Sequence, residues 1–457
     1  MNHYLFLLPE IVLFLLSCLV LFFGKRDILA LITVLITLGV TAFSCTDASP
    51  EILNGMLYIS PFSQTVKLTI LIISCVFLAQ IIAVKQSYSK YFPVLVLFSL
   101  LGMLLSVSSK NLMALYLAIE LQSIGLYVLA SVNQKSIKSA EAGVKYVLLG
   151  TFMSAVMIYG ISLIFVSSGT LAMDALFVQS SSTHLIGILL FTAGLLFKIG
   201  ATPFHAWVGD IYEGSPTLSS TFFAVLPKIS IVAVLISIAS YIDPHTLIEA
   251  HQSVAQTESS LYMRNILFLS GILSLLFGTF AAFGQSDIKR FLGFASVSHV
   301  GYALLGIGAS TSFSVTNPGF IYILIYSLTN LGIFSVVLML KDKVIISLST
   351  LNSTNKFIAF TFVVLLLSLA GIPPFTGFFA KVYVIKNLVD SGYIVSSLIA
   401  VFTGIISAFY YLRITKEVYL TRGYQSSGET KIKISKVLIF IAAASGLFSM
   451  FGFVLLL

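Results

Sequence analysis

The sequence has little charge for its length. Only 9% of its 457 residues are Asp, Glu, Lys or Arg, whereas a soluble globular domain usually carries about 25%. Hydrophobic residues make up 58%, and a water-soluble fold of this size cannot cover itself with so few charges. The composition argues against a soluble enzyme and against a nucleic-acid-binding protein. It predicts an all-α protein that crosses a membrane many times.

Cysteine is scarce, and the motifs of redox and nucleotide chemistry are missing. Cys18, Cys45 and Cys75 are odd in number and form no C-x-x-C motif, so we expect neither a disulfide framework nor a zinc or iron–sulfur cluster. The sequence also contains no G-x-G-x-x-G loop for a dinucleotide. We therefore predict no metal site and no cofactor site in this chain.

What the sequence does contain is a series of apolar stretches. A helix needs roughly 20 mainly apolar residues to cross a bilayer, and hydropathy divides the chain into 14 such spans with no segment long enough for a soluble domain between them. The predicted spans are 4–23, 28–44, 66–84, 91–107, 111–131, 142–166, 184–203, 217–240, 263–284, 292–309, 318–340, 357–377, 393–412 and 437–456.

Lysine and arginine fall unevenly on the two sides of these spans. One side holds 17 of them and the other holds four, which include Lys67. Cytoplasmic loops carry the basic excess, so we expect both termini on the outer side, which is the periplasm or its mitochondrial equivalent. The side with 17 is called the basic side below. Its residues are Lys25, Arg26, Lys85, Lys90, Lys135, Lys138, Lys289, Arg290, Lys341, Lys343, Lys356, Arg413, Lys416, Arg422, Lys431, Lys433 and Lys436.

Four further lysines, which are not part of this count, and one glutamate fall within or close to the predicted spans. They are Glu120, Lys145, Lys198, Lys228 and Lys381. An ionisable group at mid-membrane costs at least a few kcal/mol and usually faces a bundle interior or a water path. Several such groups in one bundle favour a proton relay. The alternative is that each lysine reaches the membrane interface or forms a structural ion pair.

Two spans carry the same G-x-x-P-F motif, at 200–204 and 371–375. Proline opens a helix, and broken helices at membrane depth occur only where they line protein or a water cavity. In transporters, interrupted helices at matching positions of two halves mark the functional site. Gly125 and Gly301 are spaced like the two motifs. We therefore expect two five-helix repeats, which are inverted because five is odd.

This repeat divides the chain into four predicted parts. Residues 1–90 hold the first three helices, 91–240 hold the first five-helix repeat with helices four to eight, 263–415 hold the second repeat, and 416–457 hold the last helix.

Five stretches resemble the subunit N family of proton-pumping NADH–quinone oxidoreductase, respiratory complex I, whose mitochondrial counterpart is NADH dehydrogenase subunit 2. The stretches are EAGVKYVLLG at 141–150, FKIGATPFHAW at 197–207, DIYEGSPT at 210–217, IKRFLGFASVSHVGY at 288–302 and GIPPFTGFFAK at 371–381. The resemblance covers nearly the whole chain.

The resemblance implies 14 core helices, two inverted five-helix repeats, and breaks in the seventh and twelfth helices. It also implies a proton relay formed by Glu120 on the fifth helix, Lys198 on the seventh, Lys228 on the eighth and Lys381 on the twelfth. Lys145, His205 and His299 match supporting polar positions of the family.

The implied function is proton translocation driven by quinone reduction in partner subunits. NADH, FMN, the iron–sulfur clusters and quinone are expected in those partners, and this chain is expected to contact other membrane subunits, lipid and protons but no nucleic acid. The implied location is the cell inner membrane, with the mitochondrial inner membrane as an alternative. An Mrp-type cation/proton antiporter subunit and a purely structural membrane scaffold remain alternative functions.

Overall fold

The computed structural model describes residues 6–23, 26–45, 50–84, 89–177, 181–242, 258–310, 312–340, 343–420 and 435–455. Six residues of the basic side lie outside these ranges, namely Lys25, Lys85, Lys341, Arg422, Lys431 and Lys433. Within the ranges the chain is almost entirely helical, and its short antiparallel hairpin pairs β1 (Glu51–Ile52) with β2 (Leu57–Tyr58).

The first half of the chain contains nine helices among the described residues. They are α1 (Leu8–Val20), α2 (Arg26–Phe43), α3 (Pro61–Val84), α4 (Phe92–Ser108), α5 (Leu112–Ala130), α6 (Ile137–Ser168), α7 (Ser182–Ile199), α8 (Trp207–Gly214) and α9 (Thr217–Ala239).

The second half of the described chain adds eight more. They are α10 (Glu258–Phe283), α11 (Ile288–Ala309), α12 (Pro318–Met339), α13 (Ser349–Thr354), α14 (Lys356–Ala370), α15 (Thr376–Asp390), α16 (Ile394–Tyr419) and α17 (Lys436–Phe451).

The prediction of an all-α polytopic membrane protein is confirmed. In the part of the chain that the structure describes, 11 helices are long and apolar enough to cross a membrane, and α1, α4 and α14 are shorter apolar helices. Each of these 14 helices falls within or overlaps one predicted span. Helices α9 and α11 are buried over nearly their whole length, so they lie inside the bundle.

The two G-x-x-P-F motifs interrupt the seventh and twelfth spans, as predicted, but the span ends differ from the prediction. Helix α7 ends at Ile199, and α14 ends at Ala370. The next residues, Gly200 and Gly371, adopt φ values of +72° and +78°, a left-handed conformation that favours glycine and ends a helix. Each break also contains one cis X-Pro bond, Thr202–Pro203 or Pro373–Pro374.

The chain resumes a helix after each break. Asp210 and Glu213 fall between the seventh and eighth predicted spans, and the structure places both on the short helix α8. The second break lies within the predicted twelfth span, 357–377, as expected, and Lys381 lies on α15 beyond the end of that span. Hydropathy did not detect α8, because an eight-residue helix is too short to produce a membrane-span signal.

Candidate functional site

Lys198 lies in the last turn of α7, where it meets four side-chain oxygens. Its Nζ atom donates to Oε1 of Glu120 at 3.1 Å, to Oγ of Ser123 at 2.8 Å, and to Tyr127 and Ser154 at 3.2 Å each. Ser154 in turn donates to Glu120 at 2.5 Å. The structure therefore brings the predicted Glu120–Lys198 pair together and surrounds it with hydroxyl groups.

The surroundings of this pair follow from helix geometry. Glu120, Ser123 and Tyr127 are spaced i, i+3 and i+7 on α5, which places them on one helix face. Lys198 is also favoured at the C-terminal end of α7, where the helix dipole is negative. The Lys198 side chain is 5% exposed and that of Glu120 is 21% exposed, so the carboxylate lies at the edge of the subunit.

Lys228 lies in the middle of α9, a helix that is buried over nearly its whole length. It follows Pro227, which lies inside the helix without ending it. Its Nζ atom is buried and has no hydrogen-bond partner among the described residues, and it lies 5.3 Å from the centroid of the Tyr326 ring. Burying an ammonium without a hydrogen-bond partner costs free energy. The charged form of Lys228 is therefore destabilised at this position.

His299 on α11 connects the surroundings of Lys228 with helices α12 and α16, which carry Tyr322 and Tyr411. Its ring lies 4.9 Å from the ring of Tyr326. Its Nδ1 atom is 2.7 Å from the hydroxyl of Tyr322, and its Nε2 atom is 3.0 Å from the hydroxyl of Tyr411. Both ring nitrogens of His299 therefore have a hydroxyl partner that can exchange a proton.

Lys381 folds back across the second break. Its Nζ atom donates to the carbonyl of Ala370 at 2.8 Å and to Oγ of Ser407 at 3.2 Å. Ala370 is the last residue of α14, so the ammonium satisfies a carbonyl that the helix end leaves free. Gly371 permits this approach, because a Cβ atom there would lie 2.7 Å from Cδ of Lys381.

A small cavity of about 10 Å³ lies between His299 and Lys381. Tyr322 and Tyr326 also line it, together with Ser368 on α14. This volume is roughly what one water molecule requires. One water therefore fits between the histidine and the terminal lysine.

Two other predicted site residues, Lys145 and His205, lie apart from the buried lysines. Lys145 has a side chain that is 43% exposed, and it forms ion pairs with Glu141 at 2.7 Å and with Asp210 at 2.9 Å. His205 lies in the first break, where its Nδ1 atom is 3.3 Å from Oγ1 of Thr202. Among the described residues, no continuous chain of hydrogen bonds joins Lys198 to Lys228, because Nζ of Lys228 has no hydrogen-bond partner there.

Sequence reasoning missed one buried ion pair. Lys67, which the count of basic residues assigned to the far side, lies two turns inside α3, and its Nζ atom is 2.5 Å from Oε1 of Glu10 on α1. The two side chains are 2% and 5% exposed. Their 57-residue separation hid the pairing, although a glutamate within an apolar stretch was a signal that it needed a partner.

Metal ligands are not grouped in the described ranges. No set of three or more His, Cys, Asp or Glu side chains there is arranged to hold an ion. The expectation that cofactors belong to partner subunits stays a prediction.

Comparison with known proteins gives consistent matches. A family model described as "NADH:quinone oxidoreductase/Mrp antiporter, TM" matches residues 109–407. The chain is 61% identical to NADH-quinone oxidoreductase subunit N of Neorickettsia risticii, over the full length of both.

Two solved structures are also similar to this chain. A chain of respiratory complex I from Thermus thermophilus is 25% identical with a TM-score of 0.79, covering 98% of this chain and 96% of that one. A chain of the Mrp complex from Dietzia sp. is 19% identical with a TM-score of 0.84, covering 100% and 96%, and shares the fold.

Proposed function

We propose a proton path for this chain, which belongs to the subunit N family of NADH-quinone oxidoreductase. The chain is a proton-translocating, multi-pass subunit of the bacterial inner membrane and works beside other membrane subunits. What we propose beyond this is the route of the proton and the source of the energy.

The path begins at Glu120 and Lys198. While Glu120 is close, its negative charge favours the protonated form of Lys198. When Glu120 moves away or becomes neutral, desolvation favours release of the proton. The contact of 3.1 Å between Oε1 of Glu120 and Nζ of Lys198 is the observation that carries this proposal. Ser123, Tyr127 and Ser154 would hold the ammonium in place between these two states.

The proton would next pass to Lys228 and then to Lys381. Water must complete the first step, because the described side chains supply no continuous bridge there. For the second step, His299 accepts or donates through its two hydroxyl partners, and the cavity beside it has room for one water next to Lys381. Lys381 would then exchange the proton with one side of the membrane.

Partner subunits supply the energy in this proposal. Quinone reduction there, with electrons from NADH through FMN and iron–sulfur clusters, would bias the Glu120–Lys198 pair electrostatically or by conformation. A partly exposed carboxylate at membrane depth is costly in lipid. We therefore propose that a neighbouring membrane subunit covers Glu120. We also propose that both termini lie on the outer side of the membrane, as the distribution of basic residues predicts.

Replacing Lys198 with Ala tests the relay. The assembled complex is placed in proteoliposomes, and proton uptake is measured per electron passed to quinone. We expect proton translocation to fall sharply, whereas Lys135→Ala, which removes an exposed lysine outside the spans, leaves it unchanged. Full translocation by a normally assembled Lys198→Ala complex would refute the role of Lys198.

The family model also names Mrp antiporters, so an antiporter subunit is the second candidate. Purification of the chain from its own membranes separates the two functions. Co-purification with NADH-oxidising, iron–sulfur-containing subunits supports the respiratory complex, and cation-dependent proton exchange without them supports the antiporter.

A further inference from the structure

Six charged side chains surround a cavity of about 200 Å³ at the basic-side end of α8. Three are basic and three are acidic, namely Lys138, Lys145, Arg290, Glu141, Asp210 and Glu213. We call them the α8 cluster. The cavity has room for several water molecules. None of its members belongs to the buried path of Glu120, Lys198, Lys228 and Lys381.

Arg290 on α11 joins the two acidic residues of α8. Its Nη1 atom lies 2.8 Å from Oδ1 of Asp210 and 3.1 Å from Oε2 of Glu213. Lys289, its neighbour, donates from Nζ to the carbonyls of Glu213 at 2.5 Å and Ser215 at 2.8 Å. The second repeat therefore holds the C-terminal end of α8 by both side chains and backbone.

Helix α6 of the first repeat holds the same end from the other side. Lys145 lies 2.9 Å from Asp210, and Lys138 lies 3.0 Å from Glu213. The hydrogen bond from Lys145 lowers the pKa of Asp210. Burial alone would raise the pKa of Glu213, but hydrogen bonds from Lys138 and Arg290 outweigh it and leave that pKa below its ordinary value. Both carboxylates therefore stay charged at neutral pH.

The N-terminal end of α8 packs toward Lys198. Trp207, the first residue of α8, stacks on Tyr146 with ring centroids 4.8 Å apart. Tyr146 meets Tyr127 edge to face at 5.0 Å, and the hydroxyl of Tyr127 lies 3.2 Å from Nζ of Lys198. A displacement of α8 would therefore be passed through three packed rings to the environment of the lysine.

We propose that the α8 cluster is an electrostatic clamp that fixes α8 and, through Trp207 and Tyr127, positions Lys198 for proton exchange. Asp210, Glu213 and Arg290 are positioning residues in this scheme and do not themselves carry the proton. Because the clamp joins α6 of the first repeat to α11 of the second, a relative movement of the two repeats would change the position of α8. This inference rests on the proposed role of Lys198.

The test replaces Arg290 with Gln in the assembled complex and makes two measurements. Hydrogen–deuterium exchange reports the opening of α8, residues 207–214, and proteoliposomes report proton translocation per electron. We expect faster exchange in α8 and translocation lowered by about threefold or more, the size of effect that coupling networks produce. Arg290→Lys should restore both in large part, since one ammonium can meet both carboxylates.

Matched variants separate the outcomes. Arg413→Gln removes an exposed basic-side arginine outside the cluster and should change neither measurement. If Arg290→Gln fails to assemble, Lys138→Gln removes a single exposed ion pair of the same clamp.

Two results would overturn the clamp: unchanged translocation with faster exchange in α8, or lowered translocation with unchanged exchange in α8. If Lys198→Ala also translocates normally, the relay itself has failed; if only Lys198→Ala loses translocation, the clamp alone is wrong.

Discussion

Among the described residues, two Glu–Lys pairs have a buried lysine, and they are built differently. In the Glu10–Lys67 pair the Nζ and Oε1 atoms are 2.5 Å apart, both side chains are almost fully buried, and neither carboxylate oxygen has a further hydrogen-bond partner among the described residues. In the Glu120–Lys198 pair the corresponding distance is 3.1 Å, and three hydroxyl groups also contact the lysine.

The difference indicates which pair can change its protonation. Loss of either charge in Glu10–Lys67 would leave the other buried without a partner, so that pair is locked between two continuous helices. Lys198 keeps three hydroxyl contacts when Glu120 is neutralised, and Glu120 lies partly at the surface. Burial of an ion pair is therefore not itself a sign of a relay; alternative partners and a nearby helix break are better signs.

The largest expected effect comes from neutralising the two glutamates in turn. Glu120→Gln should lower proton translocation per electron about 100-fold, the range of a lost acid–base group. Glu10→Gln, in a separately purified complex, should leave proton translocation per electron within about twofold of the native value. Equal losses in the two variants would remove the functional distinction between the pairs.

Removing the lysines should reverse the order of the two pairs when stability is measured. Lys67→Met leaves the Glu10 carboxylate buried and unpaired, which should lower the free energy of unfolding by about 3–5 kcal/mol. Lys198→Met should lower it less, because Glu120 retains the hydrogen bond from Ser154 and some exposure. Denaturant unfolding in detergent micelles measures both, and a larger loss in Lys198→Met would contradict the comparison.

Replacing both members of the locked pair should have a smaller effect than replacing one. The double variant Glu10→Leu, Lys67→Met leaves no buried charge, and we expect its free energy of unfolding to stay within about 1 kcal/mol of the native value. Proton translocation should also persist. A double variant that unfolds as readily as Lys67→Met would show that the pair contributes more than mutual neutralisation.

The smallest expected effect is the loss of one hydroxyl contact. Tyr127→Phe keeps the ring packing on Tyr146 but removes the contact at 3.2 Å to Lys198. A hydrogen bond of this kind contributes about 1 kcal/mol, so translocation should fall by a few-fold at most. Tyr159→Phe, on the exposed face of α6, is the matched control. A loss as large as that of Glu120→Gln would mean that Tyr127 carries the proton.

The spans and the charged residues of the site could be predicted because each rests on a local property. Apolar stretches of bilayer length predicted the 14 helices, and the cost of a charge in lipid singled out Lys198, Lys228 and Lys381. The hydroxyl groups that contact these lysines could not be predicted in the same way. Ser154 comes from a different helix, and serines are frequent in membrane helices.

The missed features depend on contacts between distant parts of the chain. From the sequence, Lys67 was interpreted as a residue at the edge of a span. Its partner Glu10 is distant in sequence, so no nearby acidic residue indicated a buried ion pair. Helix α8 was missed because it is short and follows a break. The stack of Trp207 on Tyr146 is a tertiary contact between residues 61 positions apart, and no periodicity reveals it.

The cavity of about 10 Å³ beside Lys381 has a consequence for insulation. Each proton that leaks back across the membrane dissipates about 2.3 kcal/mol per 100 mV of potential. A continuous file of water through the subunit would short-circuit the membrane in this way. A space for a single water lets a proton hop between His299 and Lys381 while leaving the dielectric barrier around it dry.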